Sequence, residues 1–426
     1  MSNAARRDAS AARMAQLFRG RPLDTIALHQ AVGHKPSVAL RSTPRLGTLR
    51  AMSRTVIRFL ASLLFGAIAL LPITVLVQQK GGEEETGPYD VVANWPQQWA
   101  KQGYIWGSQP GVFAESPNRI FIASRGELKL PDPLPRGFTN EWGSLGERAT
   151  TPKAEMRNCI LVVDGEGKLI ESWTQWDKLF IVAAGTGGGP HKVKINPYDP
   201  QRHVWIVNDS RHVIYKFTND GKQLVQTLGE TDVPGDDATH FGLPQDLAFL
   251  PDGSILIADG LRNTRIVKLD KDGNFIKQWG TKGNGPGQFS GLHGIDADRN
   301  GKVYVADRGN NRIQVFDANG THLDTWPNLR FPNHVVAAPD GTVWVSDGTN
   351  ARLLHFDANG KLLYFWGTYG VYPGAFWELH QFSVDTDGNL YTADSFGGRT
   401  QKYRPKNGAD KSRLVPAGVA LPARTQ

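Results

Sequence analysis

Cysteine is almost missing from this chain, 1 residue in 426, which excludes a disulfide scaffold and leaves packing to hold the fold. Charge of one sign is also short where it would matter. The formal charge is +7, yet residues 1–50 hold 9 Lys or Arg against 2 Asp or Glu, which leaves 39 of each sign in the remainder. The main body is therefore neutral and carries no basic footprint for nucleic acid. No Gly-rich loop stands between a strand and a helix to cradle a phosphate, and no Ser/His/Asp arrangement can be defended. The Gly-rich stretches at 185–189 and 283–287 read as turns between repeats. What the chain does have is 47 Gly, 26 Pro and 12 Trp, the composition of many turns on an aromatic framework. Its length suits two or three domains, or one large closed β architecture.

Residues 1–51 are rich in Ala, Arg and Ser with no sustained period, which reads as a disordered leader or as sequence upstream of a later start at Met52. Arg54 and Arg58 then precede an uncharged, mostly apolar stretch of 19 residues, 59–77, between a signal-peptide core and a minimal membrane span in size. No A-x-A site stands directly before Gln78, and Glu83, Glu84 and Glu85 follow. This asymmetry favours an uncleaved anchor over signal cleavage within 52–80, with the bulk exported to the periplasmic or extracellular side. Cys159 has no partner and lies in an apolar run, so it reads as core filler.

From about residue 105 onward the chain repeats with a period near 40 to 50 residues. Residues 244–280 (PQDLAFLPDGSILIADGLRNTRIVKLDKDGNFIKQWG), 292–327 and 332–367 are the clearest copies. Each carries four short strands of alternating Leu, Ile, Val and Phe, and each ends on a Trp. Asp252-Gly253, Asn319-Gly320 and Asp340-Gly341 supply hairpin turns. Looser copies at 111–176, 191–229 and 379–404 bring the total to six blades of an all-β propeller spanning 81–404, followed by a tail at 405–426. The last blade stops after its third strand, whereas residues 89–96 (YDVVANWP) resemble the outer strand HLDTWP at 322–327. This early strand is expected to complete the last blade and leave no long open edge. Trp95, Trp173, Trp279, Trp326 and Trp366 then read as outer-strand packing.

Alignment of the blades puts His191, Gln245, His293, Asn333 and His380 in one register at the start of the innermost strands. Six-fold pseudo-symmetry sets alternate blades about 120° apart, so the three imidazoles are expected to converge on the channel axis. Three neutral His nitrogens with an open fourth position suit zinc, whereas calcium needs a shell of oxygens. The remaining histidines after residue 190, including His334 beside Asn333, read as surface or packing residues.

A second column, at the end of the second strands, is Arg125, Ser210, Gly260, Arg308, Gly348 and Ser395. Antiparallel pairing puts it at the same mouth as the histidines, where Arg125 and Arg308 could clamp a carboxylate or instead pair with Asp259, Asp307 or Asp347. The insertion at 126–156 opens at this mouth too, and Pro131, Pro133, Pro135, Trp142 and Pro152 suit an ordered flap.

The third strands at 263–266 and 311–313, with DG turns and terminal Trp-Gly, resemble NHL repeats. Within that superfamily, PGDDATHFGLPQDLAF at 234–249, followed by ADGLRNTRIVKL, GNFIKQWG, GPGQF and VADRGNNRIQ, resembles the peptidyl-α-hydroxyglycine α-amidating lyases over about residues 105–404. The resemblance implies a six-bladed propeller with zinc on His191, His293 and His380. It also implies Arg125 of SRGE and Arg308 of VADRGNNR beside a peptide C-terminal or other small substrate. The implied reaction breaks the C–N bond of a peptidyl-α-hydroxyglycine to give an amide and glyoxylate. Two departures stand out. The family's Tyr base after the DG matching Asp259-Gly260 is here Leu261, which moves no proton, and the Asp that helps hold a structural calcium is here Gln381.

Two other readings stay open at this point. One is a non-catalytic propeller that binds a protein or glycan at its rim; the other is a metal-dependent hydrolase of esters or lactones, for which zinc-bound hydroxide needs no Tyr.

Overall fold

Six four-stranded antiparallel sheets follow one another around a central channel, one for each sequence repeat. The computed structural model describes residues 83–145, 154–182 and 188–423, all of which fall in the unit Leu76–Gln426. The leader at 1–51 and the anchor at 52–80 lie outside the described residues. Among the described residues no helix is long and apolar enough to cross a membrane.

The innermost strands are Gly111–Ser116, Pro190–Ile195, Pro244–Phe249, Leu292–Ala297, Pro332–Ala337 and Leu379–Val384. The sixth blade is completed by Tyr89–Val91, which pairs antiparallel with the third strand Arg399–Pro405, Val91 opposite Tyr403. The closure expected from the YDVVANWP segment is therefore the one adopted, and Tyr89 is fully buried.

Local chemistry explains why each repeat folds as a blade. The Asp at the end of the second strand gathers the groups around it. Asp259 accepts hydrogen bonds from Gly242 N–H, Asn263 Nδ2 and Arg265 Nε. Asp307 does the same for Ser290 N–H, Asn310 Nδ2 and Arg312 Nε. The Asn and Arg that mark the repeat are thus tied to their own blade, and so are these aspartates, which leaves Arg125 and Arg308 to other partners. Between blades, four outer-strand tryptophans meet a glycine of the next blade's hairpin, Trp173 with Gly221, Trp279 with Gly320, Trp326 with Gly360 and Trp95 with Gly167, while Trp366 meets Gly87 just before the closing strand. In blade two Leu228 takes the place of the Trp, against Gly273. The tryptophans are packing residues, as expected, and so is Cys159, which is fully buried with its thiol pushed up by desolvation.

The insertion in blade one is anchored where it is described. Glu127–Lys129 pairs with Tyr104–Trp106, and Trp142 is buried with Ile105 and Leu128. Arg399 of blade six binds Glu141 at 2.6 Å. Residues 146–153 of the flap lie outside the described residues. Residues 414–421 are more than a tail. They return beneath the ring, where Val415 N–H donates to Tyr89 OH at 2.8 Å and Pro422 O accepts from Arg202 Nε at 2.6 Å. There they help enclose a cavity of about 170 Å³ at the far end of the channel, lined also by Lys194, Asp296 and His334.

Candidate metal centre

The inner strands all enter the channel in the same direction, so their first residues form a ring at one mouth. His191, His293 and His380 meet there with ring centroids 4.7 to 4.9 Å apart, and all three are buried. One nitrogen from each lies within 4.8 Å of the others. The three blades between them supply the supports. His191 Nδ1–H donates to Gln245 O at 2.7 Å, His293 Nδ1–H to Asn333 O at 2.7 Å, and His380 Nδ1–H to Pro110 O at 2.6 Å. A carbonyl can only accept, so each Nδ1 carries the proton and each Nε2 is left with a free lone pair. This is the outer hydrogen bond that orients metal-binding imidazoles. Pro110 is the blade-one member of the ring, which the sequence column lacked.

Burial keeps the three rings neutral. His191 is lowered to about 3, chiefly by desolvation and also by Arg125 and Lys192, while Asp209 acts the other way. His293 and His380 are likewise held well below the ordinary range by burial. Deprotonated imidazoles on a rigid ring, with Nε2 free, fit a transition metal such as zinc.

The next layer down does not fit calcium. Lys192 Nζ donates to His380 O at 2.7 Å and Asn333 O at 3.4 Å, and burial lowers its ammonium to about 7. Lys194 Nζ donates to Leu247 O and Ile295 O, and lies 3.1 Å from Asp246 Oδ1. Burial works against the Asp246 carboxylate, but Lys194 and His334 outweigh it and hold it below the usual range. Gln381 spends its amide on Val193, accepting from N–H and donating to O. Carbonyl oxygens that a hard cation would need are engaged by ammonium groups. His334 belongs to this layer as a packing residue, buried against Phe382 and 3.3 Å from Asp246 Oδ2.

The strand registers correct the second column. Pro190 lies opposite Asn208 as Leu292 lies opposite Asp307, so Asp209, and not Ser210, stands level with Arg308. Both open a short 3₁₀ turn, Asp209–Arg211 and Arg308–Asn310. Arg125 and Arg308 do reach the histidine mouth. Arg125 NH2 is 3.4 Å from Asp209 Oδ2, and its Nε donates to Pro190 O at 3.3 Å. Arg308 lies over the Phe331 ring, and its NH1 donates to Asn333 Oδ1 at 3.4 Å. Desolvation lowers the Arg308 guanidinium only to about 10, so it stays charged at neutral pH. Gly188 and Gly189, at φ +133° and +125°, let the backbone lie directly against Ser210 and Arg125.

Two acidic residues escaped the sequence reading. Asp209 Oδ2 comes within 4.0 Å of His191 Nε2. Glu378 is 3% exposed, accepts from Asn333 Nδ2 at 3.3 Å and from Ser395 Oγ, and has its carboxyl raised by burial. The mouth thus holds Arg125 with Asp209, and Arg308 near Glu378, around three imidazoles. Leu261 is 42% exposed and offers no titrating group.

A family model described as a 6-bladed beta-propeller matches residues 237–341. The chain is 28% identical over 370 residues to a Xenopus laevis peptidyl-glycine alpha-amidating monooxygenase B, covering 83% of this chain and 40% of that protein. It is 34% identical over 163 residues to a probable peptidyl-alpha-hydroxyglycine alpha-amidating lyase of Caenorhabditis elegans, covering 37% of this chain and 43% of the relative. It is also 33% identical over 196 residues to the human NHL repeat-containing protein 3, covering 42% and 52%. The chain therefore spans about 40% of the length of the amidating relatives it matches. It is a six-bladed propeller that resembles the amidating lyases and other NHL-repeat proteins.

Proposed function

We propose that this propeller is a zinc-dependent lyase that cleaves the C–N bond of a peptidyl-α-hydroxyglycine-type carbinolamide to give an amide and glyoxylate. The observation that carries this reading is the set of three buried imidazoles, each fixed by a carbonyl so that its Nε2 is free. A rim-binding scaffold has no need of such a set. The similarity to a probable amidating lyase supports the choice of chemistry.

His191, His293 and His380 would hold the metal, and zinc bound there would supply Lewis acidity and make a hydroxyl more acidic. The chain's own residues divide the remaining work. Arg308, charged and held over Phe331, offers its guanidinium to the carboxylate of the hydroxyglycine. Asn333 holds Arg308 through its side chain and His293 through its carbonyl, so substrate clamp and metal ligand share one support. The flap anchored by Trp142 borders the same mouth and would limit water. An exported, membrane-tethered location, read from residues 54–85, is part of the same proposal.

The test is elemental analysis of the gently purified full chain beside His191→Ala, followed by a glyoxylate assay with a peptidyl α-hydroxyglycine. One equivalent of zinc, lost in the variant, with glyoxylate release that falls in His293→Ala, is the expected result. Zinc without glyoxylate release, together with turnover of a small ester or lactone panel, would favour hydrolysis. Absence of metal even after titration would overturn the enzyme reading.

A further inference from the structure

The family's proton-accepting Tyr is missing here, and Leu261 cannot replace it, yet the mouth contains a carboxylate placed for the task. Asp209 begins the turn that follows the second strand of blade two, on the same blade as His191. Its Oδ1 accepts the N–H of Ser210 at 2.7 Å, which fixes the carboxylate plane. Its Oδ2 points the other way, 3.4 Å from Arg125 NH2 and 4.0 Å from His191 Nε2. Among the described residues, Asp209 is the carboxylate that comes this close to a triad histidine. Its side chain keeps 14% exposure, so it opens to the mouth and is not sealed beneath it.

We propose that Asp209 is the proton acceptor of this site and that Arg125 is the residue that positions it. The proposal rests on the lyase reading above. In the step, the Asp209 carboxylate takes the hydroxyl proton of the carbinolamide, and the O–H electron pair becomes the second bond of the glyoxylate C=O. The C–N bond breaks with its pair going to nitrogen, and return of the proton to that nitrogen completes the primary amide. No oxidant or co-reactant is needed. The two arginines then differ in role: Arg308 binds the substrate carboxylate, whereas Arg125 is already committed to Asp209 and to Pro190 O.

The experiment uses the zinc-loaded full chain, steady-state glyoxylate release and zinc binding measured separately. Asp209→Asn is expected to lower kcat by about 100-fold or more, the usual scale of general acid–base help, with KM within about threefold. Zinc stoichiometry and affinity should match the parent. Arg125→Lys should also act on kcat more than on KM. An Asp209→Asn kcat within about threefold of the parent would overturn the proposal, and so would a tenfold loss of zinc affinity, which would make Asp209 a metal ligand. Should Asp209→Asn not fold, Asp209→Glu keeps the charge and the Arg125 pairing. Its displaced oxygen is expected to cost about tenfold in kcat at unchanged KM, and kcat within about twofold of the parent would mark a merely structural carboxylate. A parent chain that releases no glyoxylate sinks the lyase reading and this role together, whereas an active parent with an unaffected Asp209→Asn removes Asp209 alone.

Discussion

Trp279 at the end of blade three lies against Gly320 in the hairpin of blade four, so closely that a Cβ on the glycine would fall 2.6 Å from the indole Cδ2. The same glycine has φ +84°, where side chains are strained whatever the space. One residue thus serves a turn inside its own blade and a seat for its neighbour's ring. Gly320→Ala is expected to destabilise the fold by about 2 to 4 kcal/mol, through overpacking and backbone strain combined. Urea unfolding would check this, and a loss below about 0.5 kcal/mol would show that the indole moves aside freely.

Removal of one imidazole should act on the metal before it acts on the fold. His293→Ala leaves two ligands, so zinc content is expected to fall below a tenth of the parent's by elemental analysis. Retention of a full equivalent would place the ion elsewhere.

Calcium offers a contrast to zinc. Lys192 and Lys194 already donate to channel carbonyls of four residues, so millimolar calcium is expected to leave the Tm unchanged. Zinc should raise it, because a ligand that binds only the folded state stabilises it by mass action. Differential scanning with each ion separates the cases, and a calcium-induced rise would mean that Lys192 yields its partners.

His334 carries a pH dependence of known sign. Burial lowers it to about 3 in the folded chain, against 6.5 when free. The unfolded state therefore binds the extra proton first, and this contribution is fully present above pH 6.5 and lost as pH falls toward 3. Stability measured by urea from pH 7.5 to 4 should decline less steeply in His334→Gln than in the parent. Parallel declines would show that the imidazole is protonated in place.

Substrate recognition should separate from turnover at Arg308. Arg308→Lys keeps the charge but loses the planar fork, so KM for a hydroxyglycine substrate is expected to rise about tenfold with a smaller change in kcat. An unchanged KM would free Arg308 from the carboxylate.

The blades were readable because the hairpin turns are marked by Gly and every outer strand but that of blade two ends at or near a Trp, signals that neighbouring residues alone create. The histidine ring was readable for the same reason, since a strand start is easy to count from a DG turn. Asp209 was not. Matching NDSR to ADRG by their shared Asp puts Ser210 beside Arg308, while the hydrogen-bonded register sets Asn208 level with Asp307. Glu378 sits in a connection that precedes its strand, where the repeat has no pattern to compare. Pro110 was hidden because the first blade is interrupted by its long insertion. Lys192 and Lys194 look like solvent-facing strand residues, and only the closed ring reveals that their neighbours across the channel are carbonyls.

The pairing of Val91 with Tyr403 joins residues 312 positions apart, whereas the hairpins of the other five blades are local in sequence. Five blades can therefore take shape in order as the chain is made, but the ring can lock only when the last strand meets one made long before. Such a non-local final contact is slow to form. Until then the edge of Arg399–Pro405 is open, and His380 gains its support from Pro110 O only as the sixth blade meets the first. Acquisition of the metal site and completion of the circle should be one event in time, so zinc uptake during refolding would report the moment of closure.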